Sequence, residues 1–256
     1  MLALVTISVF GLFHPVELEV RPAPGGVIVI KSGEDERELE GSRSMRLRSA
    51  ALVTGRDGAP VRFMLSVPGK IRRDFFGTLE IRAHAGGLLA IVTMDRETAV
   101  ASVVAAESPP GAPMESRKAQ AVVARSFLIA ARGRHEGFDF CDTTHCQFLR
   151  EPPAAGSAAR RAQEATAGLA LNYAGRPIAA LYSANCGGRT RTLEEAGWQP
   201  EAYPYFAVEC PVGGGVSGHR IGMCQTGAAE MARRGSTFRE ILGRYFPAAA
   251  IEGTGR

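Results

Sequence analysis

Between His135 and Gln147 the chain reads HEGFDFCDTTHCQ, and four of those side chains are metal-ligand types. His135, Cys141, His145 and Cys146 offer two imidazoles and two thiolates, the donor set that a tetrahedral zinc ion favours. Four protein ligands leave no open position for a water, so zinc here would be structural. The competing reading is a Cys141–Cys146 disulfide beside two ordinary surface histidines. His145 and Cys146 are adjacent, and on a strand they would face opposite ways. A shared ion therefore requires a tight turn, which Asp142-Thr143-Thr144 allows.

Three other stretches carry candidate chemistry. Glu107 follows the apolar run Val100–Ala106 and precedes Ser-Pro-Pro-Gly-Ala-Pro, which cannot continue a helix. A carboxylate in a rigid loop beside apolar surface can have a raised pKa and act as a general acid; the plainer reading is a solvated acid at the end of an element. In SGHRIGMCQTGA, residues 217–228, glycines permit close backbone approach while His219 and Gln225 offer polar groups ahead of a helix. The alternative there is a glycine-rich turn with a packed histidine. Tyr182-Ser183-Ala184-Asn185-Cys186-Gly187-Gly188 ends a strand in a polar turn, a common place for binding residues. Cys186 with His219 as base would make a nucleophile, but no third orienting residue is evident, and a structural thiol or disulfide is the simpler reading.

These residues need a scaffold, and 256 residues can build one large domain or two small ones. A hydrophobic content of 45% against 22% charged is ordinary for a globular chain. The net charge of +4 is small and only 7% of residues are aromatic, which argues against nucleic acid as a partner. No run approaches the ~20 apolar residues of a membrane span. Leu2–Phe13 is apolar but lacks a basic start and an Ala-x-Ala-like site, so it reads as a strand rather than a signal peptide. Five cysteines fit neither a dense disulfide scaffold nor a plain reduced core. With two of them on a metal, Cys186 and Cys210 could pair and leave Cys224 free.

The pattern predicts an α+β chain with a β-rich part over residues 1–93, a mixed helix-and-strand domain over 94–251 and a frayed tail over 252–256. Short alternating runs such as Val16–Val20 and Leu79–Ala83 are separated by turn signals at Pro24-Gly25, Asp57-Gly58, Pro68-Gly69 and Gly86-Gly87. Helical spacing begins after Met94. Residues 113–132 form a helix with Ala119, Val122, Val123, Ser126 and Ala130 on one face and Lys118, Arg125 and Arg132 on or beside the other. Further helices are expected over 157–167 and 226–234, and a capping box at Thr237–Glu240 starts another. Leu169–Tyr173 and Ile178–Ala184 read as a hairpin around Ala174–Pro177.

Taken together, VVAAESPPGAPMESRKAQAVVARSF, DTTHCQ, ATAGLALNYAGRPIAALYSANCGG and GHRIGMCQTGAAEMARRGSTFREILGRYFP resemble the stage II sporulation protein D and amidase-enhancer family, in family order over about residues 94–251. The resemblance implies a cell-wall protein. The family includes lytic transglycosylases that cut peptidoglycan glycan strands stripped of their peptides, and proteins described as amidase enhancers. It places Glu107 at the catalytic glutamate, and His135, Cys141, His145 and Cys146 at a zinc cluster reported for some members. Lys118 and Arg125 match the basic residues of the family's helix, while Tyr182, Ser183, His219 and Gln225 fall in motifs that line the glycan cleft. The sequence departs from the pattern at Cys224, where serine is usual, and at Tyr182-Ser183-Ala184, which lacks a histidine.

The resulting expectation is a lytic transglycosylase with Glu107 as its one acid/base and peptidoglycan glycan strands as substrate, located outside the cytoplasm because its substrate is. The alternative is a non-catalytic wall-binding protein that stimulates a cell-wall amidase. A zinc hydrolase ranks behind both, because the ligand spacing matches no HExxH-type helix.

Overall fold

The computed structural model describes residues 3–254. Helices take 25% of the chain and strands 34%, the α+β balance expected. The chain divides into two compact units, Met1–Ser102 with Arg132–Pro152, and Val103–Ala131 with Pro153–Arg256. Neither is a continuous stretch. The expected boundary at residues 93/94 therefore differs from the division by packing, which groups residues 132–152 with the β-rich part.

The first unit is built on a ten-stranded sheet, antiparallel throughout except at one strand. Its organising element is the long strand Ile71–His84, whose first half pairs with Val61–Val67 and whose second half pairs with Gly87–Asp95 and Ala51–Thr54. At the changeover stands Gly77, with φ at +155°, and any Cβ there would collide with the Thr93 carbonyl oxygen. Only glycine lets the strand pass from one set of partners to the other. Alternation puts Phe75, Leu79 and Ile81 inside, with Leu18, Val20, Phe63 and Leu65 from neighbouring strands. Phe63 stacks on Phe75 at 5.8 Å, and Phe10 meets Phe75 edge-on at 5.9 Å. Each such ring buried contributes about 2–3 kcal/mol. The apolar start of the chain is a strand, as expected, at Leu4–Val9. It pairs with Gly87–Asp95 on one side and, in parallel, with the two-residue strand Phe140–Cys141 on the other.

The helix Arg96–Glu107 (α1) contributes through Ser102 to the first unit and from Val103 to the second. The second unit is arranged around Met114–Ala130 (α2), which packs against Ala158–Ala165 (α3), Gln225–Arg233 (α4), Phe238–Tyr245 (α5) and the strand Leu169–Tyr173. Residues 119–128 of α2 are all buried, so the helix has no polar face there and the expected two-faced pattern does not hold. Ser157 caps α3 through the Arg160 N–H, and the capping box at Thr237–Glu240 forms as read. The hairpin is shorter than expected. Leu169–Tyr173 pairs only with Arg176–Pro177, and its other edge is covered by Ala250–Gly253, which takes up part of the expected tail. Residues beyond Ile178 leave that sheet, and Tyr182–Ser183 pairs in parallel with Met223–Cys224. No helix among the described residues is long and apolar enough to cross a membrane.

Candidate active site and metal-ligand cluster

The His–Cys loop of the first unit is anchored by two aspartates that flank its first cysteine. Asp139 Oδ2 accepts from the backbone N–H and the hydroxyl of Thr6, and the carboxylate pairs with Arg132 at 3.2 Å. Asp142 Oδ2 accepts from the Phe10 N–H at 3.2 Å and from Arg73 Nη1 at 2.8 Å. Both ends of Leu4–Val9 thus hold the loop, and the parallel pairing of Ser8 with Cys141 lies between them. From the sequence Asp142 reads only as a turn residue, and Asp139 carries no signal of an anchoring role.

Thr143 to Cys146 form a turn closed by the Cys146 N–H to Thr143 carbonyl bond at 3.1 Å. That turn lets the adjacent His145 and Cys146 side chains point the same way. The donor atoms of His135, Cys141, His145 and Cys146 all lie within 4.8 Å of one another. His135 Nε2 is 3.2 Å from Cys146 Sγ, and His145 Nδ1 is 3.7 Å from Cys146 Sγ and 3.8 Å from Cys141 Sγ. A tetrahedral ion with bonds of about 2.3 Å to sulfur and about 2.0 Å to nitrogen needs sulfur–nitrogen edges of roughly 3.5 Å. The donor set fits one such ion. The Cys146 thiol beside it lowers the pKa of Cys141, which favours the thiolate form that a metal takes. His135 is stacked on Phe138 with ring centroids 4.6 Å apart, which sets the plane of its imidazole.

In the second unit Glu107 is the last residue of α1, half-buried, where the Ser-Pro-Pro-Gly-Ala-Pro loop stops the helix as its prolines require. Gln225, the first residue of α4, donates from Nε2 to the Glu107 carbonyl at 2.9 Å and to Gln120 Oε1 at 3.2 Å. Gln225 is buried, and its amide holds the backbone of the glutamate. The Tyr182 phenol is raised well above its usual pKa by burial and then by the Glu107 carboxylate beside it. Ser183, next to it, buries its hydroxyl with no hydrogen-bond partner among the described residues. His219 Nδ1 accepts from the Ile221 N–H at 3.0 Å, and burial lowers its pKa, which keeps the ring neutral.

Two residues expected in a glycan cleft do other work. Arg125 is fully buried and donates to the carbonyls of Leu169, Ala121 and Gln163 at 3.1, 3.4 and 3.4 Å. Its position inside an all-buried stretch of α2 leaves the guanidinium no route to solvent, so it ties α2 to α3 and the following strand. Lys118 pairs with Glu115 at 2.5 Å, and Glu115 in turn accepts from the Phe238 N–H at 2.8 Å at the start of α5. Trp198 was missed. It is the one tryptophan of the chain, 45% exposed, and its ring lies 5.2 Å from that of His219. An exposed lone tryptophan is itself a sequence-readable signal for carbohydrate or partner contact.

The five cysteines are free thiols. The expected Cys186–Cys210 bond is not formed, because Cys224, expected to stand apart, joins them as a third buried sulfur.

Residues 84–173 match the family model described as stage II sporulation protein. Over 146 residues the chain is 29% identical to an uncharacterized protein of Brachyspira hyodysenteriae, an alignment covering 56% of this chain and 37% of that protein. The matched stretch thus spans about 37% of that relative's length. The family match takes in Glu107, α2, the whole His–Cys loop and α3. Over residues 84–173 the chain is thus similar to the stage II sporulation protein (SpoIID) family, and the match supports that assignment.

Proposed function

We propose that the chain is a peptidoglycan lytic transglycosylase that cuts the bond between N-acetylmuramic acid and N-acetylglucosamine, with Glu107 as its acid/base. Similarity to the SpoIID family suggests a cell-wall-related role, and the family is broadly linked to cell-wall lytic activity. The observation that carries the finer reading is the environment of Glu107. Its backbone is tied down by Gln225 while its side chain stays half-exposed beside the Tyr182 phenol and the unpartnered Ser183 hydroxyl. In the first half of the reaction the protonated carboxyl gives its proton to the glycosidic oxygen, and the C1–O bond breaks. The carboxylate left behind takes the proton of the muramyl C6 hydroxyl, whose oxygen closes on C1 to form the 1,6-anhydro ring. Glu107 ends protonated, as it began. Since the nucleophile belongs to the substrate, one carboxylate suffices, in contrast to hydrolytic glycosidases. Neutral His219 and the exposed face of Trp198 supply a hydrogen-bonding group and a flat apolar surface for a sugar ring.

Zinc is proposed for His135, Cys141, His145 and Cys146, where it would close the loop that begins and ends with those ligands. Four protein donors assign it a structural role, and no chemical step runs through it. The substrate places the protein outside the cytoplasm, with a cell-wall amidase as a further partner. Incubation with peptide-free glycan strands and mass spectrometry of the products tests the reading. Anhydro-muramyl ends are expected; reducing ends would make the protein a hydrolase, and intact strands that remain bound would make it a wall-binding amidase enhancer.

A further inference from the structure

Cys186, Cys210 and Cys224 have their sulfur atoms within 4.8 Å of one another, although any two of them stand at least 14 positions apart in the chain. Three separate segments deliver them. Cys186 follows the strand Tyr182–Ser183, Cys224 ends the strand paired with it, and Cys210 is held by its N–H to the Gly188 carbonyl at 2.8 Å. Cys186 and Cys224 are fully buried and Cys210 is partly so.

The surroundings are arranged for sulfur carrying negative charge. Cys224 is the N-cap of α4, where the unpaired N–H groups of a helix start favour an anion. Its Sγ accepts from the N–H groups of Gly227 at 3.4 Å and Cys186 at 3.3 Å. Cys210 Sγ lies 3.2 Å from the Tyr245 hydroxyl. Space is reserved as well. Gly227 has no need of glycine for its backbone angles, but a Cβ there would collide with Cys210 Sγ and the Tyr245 hydroxyl. The helix thus carries a glycine in its first turn to admit a sulfur and its hydroxyl partner.

We propose that Cys186, Cys210 and Cys224 form a second metal site, a trigonal three-sulfur site for copper(I). A disulfide would use two sulfurs and leave the third buried beside it, whereas one ion uses all three. No histidine or carboxylate joins the group among the described residues, so the donors are uniformly soft. Uniformly soft donors select copper(I), zinc or an iron–sulfur cluster. Structural zinc sites are almost always four-coordinate and iron–sulfur clusters take four cysteines, whereas three are gathered here. Ions bonded at about 2.3 Å to three sulfurs in a plane require edges of roughly 4 Å, within the observed limit. The N–H and O–H donors to Cys224 and Cys210 offset part of the charge that such a site buries. Binding releases the thiol protons to solvent and involves no electron transfer, copper entering as copper(I). This site does not rest on the glycan-cleaving reading.

The test uses the full chain, reduced and loaded with zinc, then titrated anaerobically with copper(I) against a chromogenic copper(I) chelator. The wild-type protein is expected to take up an equivalent of copper(I) without releasing zinc. Cys210→Ser, at the least buried of the three, is expected to lose at least 100-fold in copper affinity. X-ray absorption at the copper edge of the wild-type protein gives a second reading that needs no variant to fold, and three sulfur neighbours without nitrogen are expected. Nitrogen in the copper shell, zinc release that matches copper uptake, unchanged affinity in a folded Cys210→Ser protein, or retention of zinc alone by the three thiols would each overturn the proposal. So would a disulfide between any two of the three in protein isolated under reducing conditions.

Discussion

The His–Cys loop of the first unit and the glutamate site of the second are built in opposite ways. The four loop ligands fall within 12 residues, His135 to Cys146, and one turn brings their donors together. The groups around Glu107 come from α1, α2, the 182–183 strand and the start of α4. In the compact constellation, residue type alone points to a candidate role, because two histidines and two cysteines stand together within one short loop. In the dispersed one, polar side chains both face solvent and hold the backbone, and type alone does not separate these duties. Arg125 and Gln225 look like binders, yet both are buried and donate to backbone carbonyls.

Breaking the compact cluster should have the largest effect on stability. Binding of a structural metal contributes directly to folding, so chelation of zinc, or Cys141→Ser, is expected to lower Tm by about 10 °C or more. Differential scanning calorimetry with and without chelator measures it. A chelated protein with an unchanged melt would reduce the cluster to a chance gathering of side chains.

Arg125→Met comes next. Removing the guanidinium takes a donor from the Leu169 carbonyl and leaves the Gln163 carbonyl only its Thr166 donors, at a cost of about 1–3 kcal/mol. Urea unfolding should show that loss while the folded fraction keeps its KM for glycan. A raised KM at unchanged stability would instead return Arg125 to the cleft and erase the distinction between the two regions.

The smallest effect is expected from Gln225→Leu, similar in size but without the amide. The Glu107 carbonyl would lose its donor, costing about 1–2 kcal/mol. Because Gln225 acts through the position of Glu107, kcat should fall about 10-fold with KM unchanged, and Gln225→Glu, which can donate when protonated, should recover activity as pH falls. A change in KM alone would make Gln225 a substrate contact.

What the sequence disclosed follows the same division. Local signals held: the stop at Glu107 before its prolines, the capping box at Thr237 and the tight turn before Cys146. Signals that depend on tertiary neighbours did not. α2 was read as two-faced because lysine and arginine recur along it, but a helix surrounded on all sides buries an arginine when carbonyls surround it. The strand after Ile178 was assigned to the nearest hairpin, whereas Tyr182–Ser183 pairs with Met223–Cys224, some 40 residues onward. That same distant pairing brings Cys224 to Cys186, which is why the cysteine arithmetic expected a pair and the fold holds three. Asp139 and Asp142 were unreadable as anchors because the backbone groups they hold, at Thr6 and Phe10, lie more than 130 residues away.

The central claim is that Glu107 moves the proton, and Glu107→Gln addresses it most directly, since the amide keeps the shape of the side chain but can neither give nor accept that proton. Purified wild-type and variant proteins would be compared on peptide-free glycan strands, counting anhydro-muramyl ends by mass spectrometry and checking zinc content, melting temperature and strand binding in the same preparations. Cleavage should fall by a factor on the order of 100 to 10,000 while the other three properties hold. A folded, strand-binding Glu107→Gln protein that still released anhydro ends at the wild-type rate would contradict the account.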